Sequence, residues 1–191
     1  VALAAIEVVV HHRVLEFALV AGVFEGRVGA HRRRTVLGLR STRRREERDA
    51  RIAAYHVPYH AEIERFLTER HDIIALASIH SFTPQLATRP DEARPWPVGI
   101  LYNQDDRAAR LGIAALAARG LNVGDNQPYS GRVLNATMNR HAEARGLPYL
   151  GFEVRQDQLS NAAGIERWAD ILADVVSEVA ALCLRVRRQA I

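Results

Sequence analysis

The chain has 191 residues, 48% of them hydrophobic and 25% charged. That size and balance suit one folded domain spanning residues 1–191 and exclude wholesale disorder, and the single Cys183 excludes an internal disulfide. The formal net charge is +4, and it is unevenly placed: residues 25–51 hold ten arginines against four acidic residues, so the remainder is slightly acidic.

That tract reads as a solvated segment rather than a phosphate-binding arm, because no aromatic residues lie between its arginines to stack on bases. No nucleic-acid partner is therefore expected. The apolar stretch at residues 1–10 carries Glu7 and lacks a basic leader, and no uninterrupted run reaches the length of a membrane span. A soluble, cytoplasmic protein with no membrane partner is the expectation.

In chain order, residues 6–10 and 15–23 read as buried strand or helix, after which periodicity is lost in the arginine tract. Residues 46–70 place Ile52, Tyr55, Tyr59, Ile63, Phe66 and Leu67 at helical spacing, with a break expected before Pro58. Residues 72–79 form a β-branched run suited to a strand buried on both faces. A loop over residues 81–97 contains four prolines, and residues 98–102 read as a second strand. A helix over 106–119 ends at Gly120, where a left-handed cap is favoured. A short extended piece at 121–123 and a polar loop at 124–131 follow. Next come a helix over 135–145 ended by Gly146, a third strand at 147–154, and a long helix over 164–187. Strands alternating with helices predict an α/β fold with three layers: a mainly parallel sheet flanked by helices.

Ligands in open α/β sheets gather at the carboxyl ends of strands, and three polar clusters fall there. His80 follows the strand that ends at Ile79; it suits a metal ligand or general base, or simply a loop-capping imidazole. Glu153 ends the third strand between apolar neighbours, where desolvation raises a carboxyl's pKa toward acid–base work; a salt bridge to a nearby arginine is the plainer alternative. The loop Gly124-Asp125-Asn126-Gln127-Pro128-Tyr129-Ser130-Gly131 is rich in donors and acceptors but also reads as an ordinary turn. Neither GxGxxG nor GxxxxGK[ST] occurs, which argues against a nucleotide site.

Taken together, the segments SIHSFTP, RPWPVGILYNQDDR, VGDNQPYSG, GLPYLGFEVRQD and GIERWADIL resemble the N-formylglutamate amidohydrolases in order and spacing, over residues 53–173. The resemblance implies a hydrolase-like fold similar to the zinc carboxypeptidases and aspartoacylases. It implies a zinc-dependent cleavage of the amide bond of a small N-acyl amino acid such as N-formyl-L-glutamate. His80 matches the later metal ligand, and Glu153 matches the glutamate that moves the water's proton. Arg155, Arg107, Asn126 and Tyr129 are the matching candidates for holding the substrate. The two earlier metal ligands have no counterpart; the nearest pairing is His12 with Glu16, four residues apart. Residues 1–50 accordingly read as a divergent or remnant portion, and a catalytically inactive member with a binding or structural role is the alternative.

Overall fold

A computed structural model describes residues 3–11, 20–24 and 39–189, with side chains described from residue 45 to 189. His12, Glu16 and the arginines between residues 25 and 38 lie outside the described residues.

Six strands form one mixed sheet in the order β2-β1-β3-β6-β4-β5. They are β1 (Leu3–His11), β2 (Val20–Phe24), β3 (Ile73–Phe82), β4 (Val98–Leu101), β5 (Val123–Asp125) and β6 (Tyr149–Arg155). Over the strands after residue 50 the pairing is mostly parallel, β3 with β6 and β4 with β5, while β4 lies antiparallel to β6. The reversal has a physical cause. A parallel return needs a crossover of a dozen or more residues, usually helical, and the proline-rich connection at residues 83–97 forms no helix. The chain therefore comes straight back beside β6, skipping one position. β1 and β2 add an antiparallel pair at the other edge.

The helices are α1 (Leu39–Arg51), α2 (Val57–Glu69), α3 (Arg107–Ala118), α4 (Ala136–His141) and α5 (Ala162–Gln189). Part of the arginine tract is thus helical, as α1. The break expected before Pro58 is a π-helical turn at Ile52–His56, in which the Val57 amide reaches back to the Ile52 carbonyl. Pro58 has no N–H to continue the α-ladder, and the widened turn accommodates it. The helix expected over 135–145 is shorter: α4 stops at His141, and Glu143–Arg145 form a 3₁₀ turn.

α3 and α5 cover one face of the sheet. Trp168, Leu172, Val175, Val176 and Val179 make the buried stripe of α5, against Val98, Ile100, Leu150, Phe152 and Val154 from the strands. α3 approaches so closely at Gly112 that a Cβ there would lie 2.7 Å from a Leu150 methyl and 2.9 Å from an Ile100 methyl. α4 lies on the opposite face, contacted by α2. This is the three-layer arrangement expected.

The loop at residues 126–131 folds back on the sheet where side chains are missing. A Cβ at Gly99 would fall 1.9 Å from the Gln127 carbonyl oxygen, a separation no real contact permits. Gly99→Ala is therefore expected to cost about 1–3 kcal/mol and to loosen this loop, seen as a lower urea midpoint with an unchanged m-value; a midpoint equal to the native protein's would contradict it.

Candidate active site

The site is built by strand register. β3 and β6 run parallel with Ser78 opposite Gly151 and His80 opposite Glu153. Side chains alternate across a strand, so Ser78, His80 and Glu153 share the face away from α3 and α5. β3 continues to Phe82, so His80 sits inside the strand rather than after it. These residues line a cavity of about 180 Å³ with Leu101, Phe152 and, from the entry to α4, Leu134, Asn135, Thr137 and Met138. The Asn135 side chain is held in place, its amide donating to the Asn139 side-chain oxygen and to the Tyr149 hydroxyl, each at 2.8 Å.

Glu153 is only 9% exposed, and one of its carboxyl oxygens, Oε2, is buried without a hydrogen-bond partner. The salt bridge that stood as its plainer alternative does not form among the described residues. Burial pushes its pKa up to about 7, and the Arg94 guanidinium opposes that rise. Burial acts in the other direction on His80, lowering its pKa below the ordinary 6.5. Near neutral pH the pair is thus a neutral imidazole beside a carboxyl able to take up or release a proton. Environments that bring such groups close to the working pH are those that acid–base catalysis needs.

Arg94 opens the segment RPWPVGILYNQDDR, but nothing in the sequence singled it out as a site residue. Its side chain is 1% exposed. It donates to the Thr83 carbonyl at 3.2 Å, to the Tyr129 hydroxyl at 3.2 Å and to Glu92 at 3.1 Å, and its guanidinium lies 5.2 Å from the Tyr129 ring centre. The proline-rich loop thereby sets a buried positive charge within electrostatic reach of Glu153.

The four substrate-side candidates do not line this cavity. Arg155 is chelated by Asp157 at 2.7 and 3.0 Å and donates to the Arg94 carbonyl at 2.9 Å. Tyr129 bonds to Arg94, so both belong to the Arg94 cluster. Asn126, at φ 52°, accepts from the Tyr102 and Gly131 amides at 3.0 and 2.9 Å and pins its own loop. Arg107 is held by Asp105 and the Gly146 carbonyl, and lines a larger, mostly apolar cavity of about 780 Å³ beside Ile73, Leu111 and Cys183. That cavity contains neither His80 nor Glu153.

The zinc implied by the family resemblance finds its donors only in part. His80 and Glu153 stand side by side, yet among the described residues no three His, Cys, Asp or Glu side chains converge to hold a metal ion. A catalytic zinc takes three protein ligands, so the described residues alone do not fit one.

The fold and cleft place the chain among the α/β proteins whose chemistry sits at the carboxyl ends of parallel strands. The profile of the N-formylglutamate amidohydrolases matches residues 21–160, and the chain belongs to that family. The match begins upstream of the motifs that first suggested it, within the portion that reads as divergent. Among solved structures, the chain is similar to the gene product Atu2144 from Agrobacterium tumefaciens, with 28% identity and a TM-score of 0.64 over 71% of this chain and 54% of that one. It also shares its fold with an N-formylglutamate amidohydrolase from Ralstonia eutropha JMP134, with 21% identity and a TM-score of 0.51 over 75% of this chain and 55% of that one. The chain thus spans little more than half the length of the solved structures it matches. No curated protein matches it significantly. Among the described residues no helix is long and apolar enough to cross a membrane.

The raised pKa of Glu153 has a consequence for stability. A carboxyl whose folded pKa stands at about 7 against an ordinary 4.5 favours folding in its protonated form. Its contribution is complete below about pH 4.5 and is lost as pH rises through 7. In metal-free buffer, Glu153→Gln is expected to gain stability over the native protein between pH 5 and 8, approaching about 3 kcal/mol at the alkaline end, with the two matching near pH 4. Parallel unfolding curves for the two proteins across that range would contradict the assignment.

Proposed function

We propose that the chain is an amidohydrolase that cleaves the amide bond of a small N-acyl amino acid, N-formyl-L-glutamate being the leading candidate. The observation that carries the reading is the in-register pairing of His80 with Glu153 at the wall of a small cleft, in a chain of this family.

In this reading the ionised Glu153 accepts a proton from a water that attacks the acyl carbon. A C–O bond forms, the C–N bond breaks, and the same carboxyl returns the proton to the departing amine nitrogen. Products are formate, or another small acid, and the free amino acid. A cavity of about 180 Å³ suits an acyl group of one or two carbons better than a long chain. The free carboxylates of the substrate call for a cation, and planar guanidinium matches them best. Arg155 and Tyr129 are the substrate-side groups that support favours, since both are tied to Arg94, whose charge acts on Glu153. Arg107 and Asn126 make no hydrogen bond to Arg94, their partners being Asp105 and Gly146 for the first and the Tyr102 and Gly131 amides for the second.

Zinc dependence enters through His80. A bound zinc polarises the carbonyl and lowers the pKa of its water to near 7, and its remaining ligands would have to come from outside the described residues. A catalytically inactive member with a binding or structural role is the second reading, favoured by the lack of a three-ligand group among the described residues.

Release of formate from N-formyl-glutamate distinguishes the two. Expected is hydrolysis that a chelator abolishes and zinc restores, lowered at least about 100-fold in kcat by Glu153→Gln or His80→Ala, with Arg155→Ala acting mainly on KM. A folded native protein that releases no formate with zinc present, or a Glu153→Gln protein as active as the native one, would overturn the amidohydrolase reading.

A further inference from the structure

The described residues contain a second group of titratable side chains that the proposed chemistry does not use. His60 of α2 and His141 of α4 face each other, with His60 Nδ1 2.7 Å from His141 Nε2 and the rings stacked at 5.0 Å. One turn earlier, His56 Nε2 lies 3.1 Å from His60 Nε2. One turn later, Glu64 Oε2 lies 3.6 Å from His141 Nδ1, while the other Glu64 oxygen pairs with Arg145. His141 is fully buried, at 0% exposure.

Only one arrangement of protons satisfies this chain. His141 Nδ1 faces the Glu64 carboxylate at a distance too long for a hydrogen bond, yet the negative charge keeps the proton on that nitrogen, and Nε2 is left to accept. His60 Nδ1 then donates to it, and His60 Nε2 accepts from His56 Nε2. The reverse order would turn a lone pair of His141 toward Glu64. Burial, with the positive charge of Arg140 nearby, keeps His60 below its ordinary pKa and His141 down to about 4, against the opposing pull of Glu64. His60 and His141 are therefore neutral at pH 7, and the contact between them is a directional hydrogen bond rather than an ion pair.

The position of this group matters more than its charge. α4 is six residues long, too short to be stable by itself. Its first turn supplies Ala136, Thr137 and Met138 to the cleft wall facing His80 and Glu153, and its last residue is His141. Two residues of α2, His60 and Glu64, meet the two ring nitrogens of that residue.

We infer that His141 is a positioning residue for the cleft: hydrogen-bonded to His60, it fixes α4, and through α4 the wall against which the substrate is held opposite His80 and Glu153. The inference rests on the amidohydrolase reading of that cleft. It assigns a task to the pair His60 and His141 that no catalytic step requires.

The test compares the full chain with His141→Leu, which removes the bond to His60, and His141→Gln, whose side-chain oxygen can accept from His60 Nδ1. Backbone hydrogen exchange and hydrolysis of N-formyl-glutamate are measured on each. Expected for His141→Leu is exchange at residues 136–142 at least about tenfold faster, with β3 and β6 still protected, and a KM about tenfold higher with kcat within about threefold. His141→Gln should recover most of both. Unchanged exchange in α4, or loosened α4 with native KM, would overturn the inference while leaving the amidohydrolase reading intact. A native protein as inactive as Glu153→Gln would overturn both, and is distinguished by that control. Should His141→Leu fail to fold, failure of His141→Gln to keep α4 protected and KM near native would overturn the inference as well.

Discussion

The parallel pairing of β3 with β6 is the constraint on which the rest of the site depends. Its register sets His80 against Glu153 and Ser78 against Gly151, and a slip of either strand by one residue would put these two side chains on opposite faces, one of them in the hydrophobic layer under α3 and α5. That slip is prevented by the other face of the same strands. Leu150, Phe152 and Val154 of β6 are almost wholly buried, so the core holds the register and the register holds the site. The cost falls on Glu153, whose carboxyl is desolvated with one oxygen unpartnered. Such a cost in the sheet is what supports the proposed role of Glu153 in acid–base chemistry.

The environment around that carboxyl is graded. Burial favours its protonated form, and Arg94, held by Thr83, Glu92 and Tyr129, favours its ionised form. The balance leaves it titrating close to neutrality. Arg107 and Asn126 stand outside this balance, the first held by Asp105 and the Gly146 carbonyl and the second by the Tyr102 and Gly131 amides. The opposite face of the cleft comes from a short helix that cannot stand alone, and its tether is the histidine cluster joining it to α2. The candidate site is therefore assembled from three supports of different kinds: strand register for His80 and Glu153, a buried cation for their electrostatics, and a hydrogen bond between histidines for its wall.

Much of this was legible in the sequence, and the boundary of legibility is physical. Strands and helices after residue 50 follow from apolar periodicity, and His80 and Glu153 from polar residues closing apolar runs. The direction of β4 was not legible, because periodicity does not carry strand polarity; the absence of a crossover helix in the proline-rich connection is what decides it. The early end of α4 was hidden too, since Ala142, Glu143 and Ala144 are all good helix formers. Tertiary demand overrides them: the Glu143 carboxylate accepts from the Asn103 side chain, from the amides of Gln104 and Asp105, and from the Tyr149 hydroxyl. Arg155 and Arg107 looked like free cations, yet each is taken by an aspartate two residues away. Arg94 and the histidine cluster join positions 35 and 81 residues apart, a relation no local pattern expresses.

The proposed function requires the cleft between His80, Glu153 and α4 to receive the scissile amide. A crystal structure of the Glu153→Gln protein with N-formyl-glutamate tests it most directly. The expected result places the formyl group in that cleft, with the amide within hydrogen-bonding distance of residue 153 and the substrate carboxylates toward Arg155 and Tyr129. Density for the ligand in the larger cavity beside Arg107 and Cys183, with the cleft empty, would contradict it.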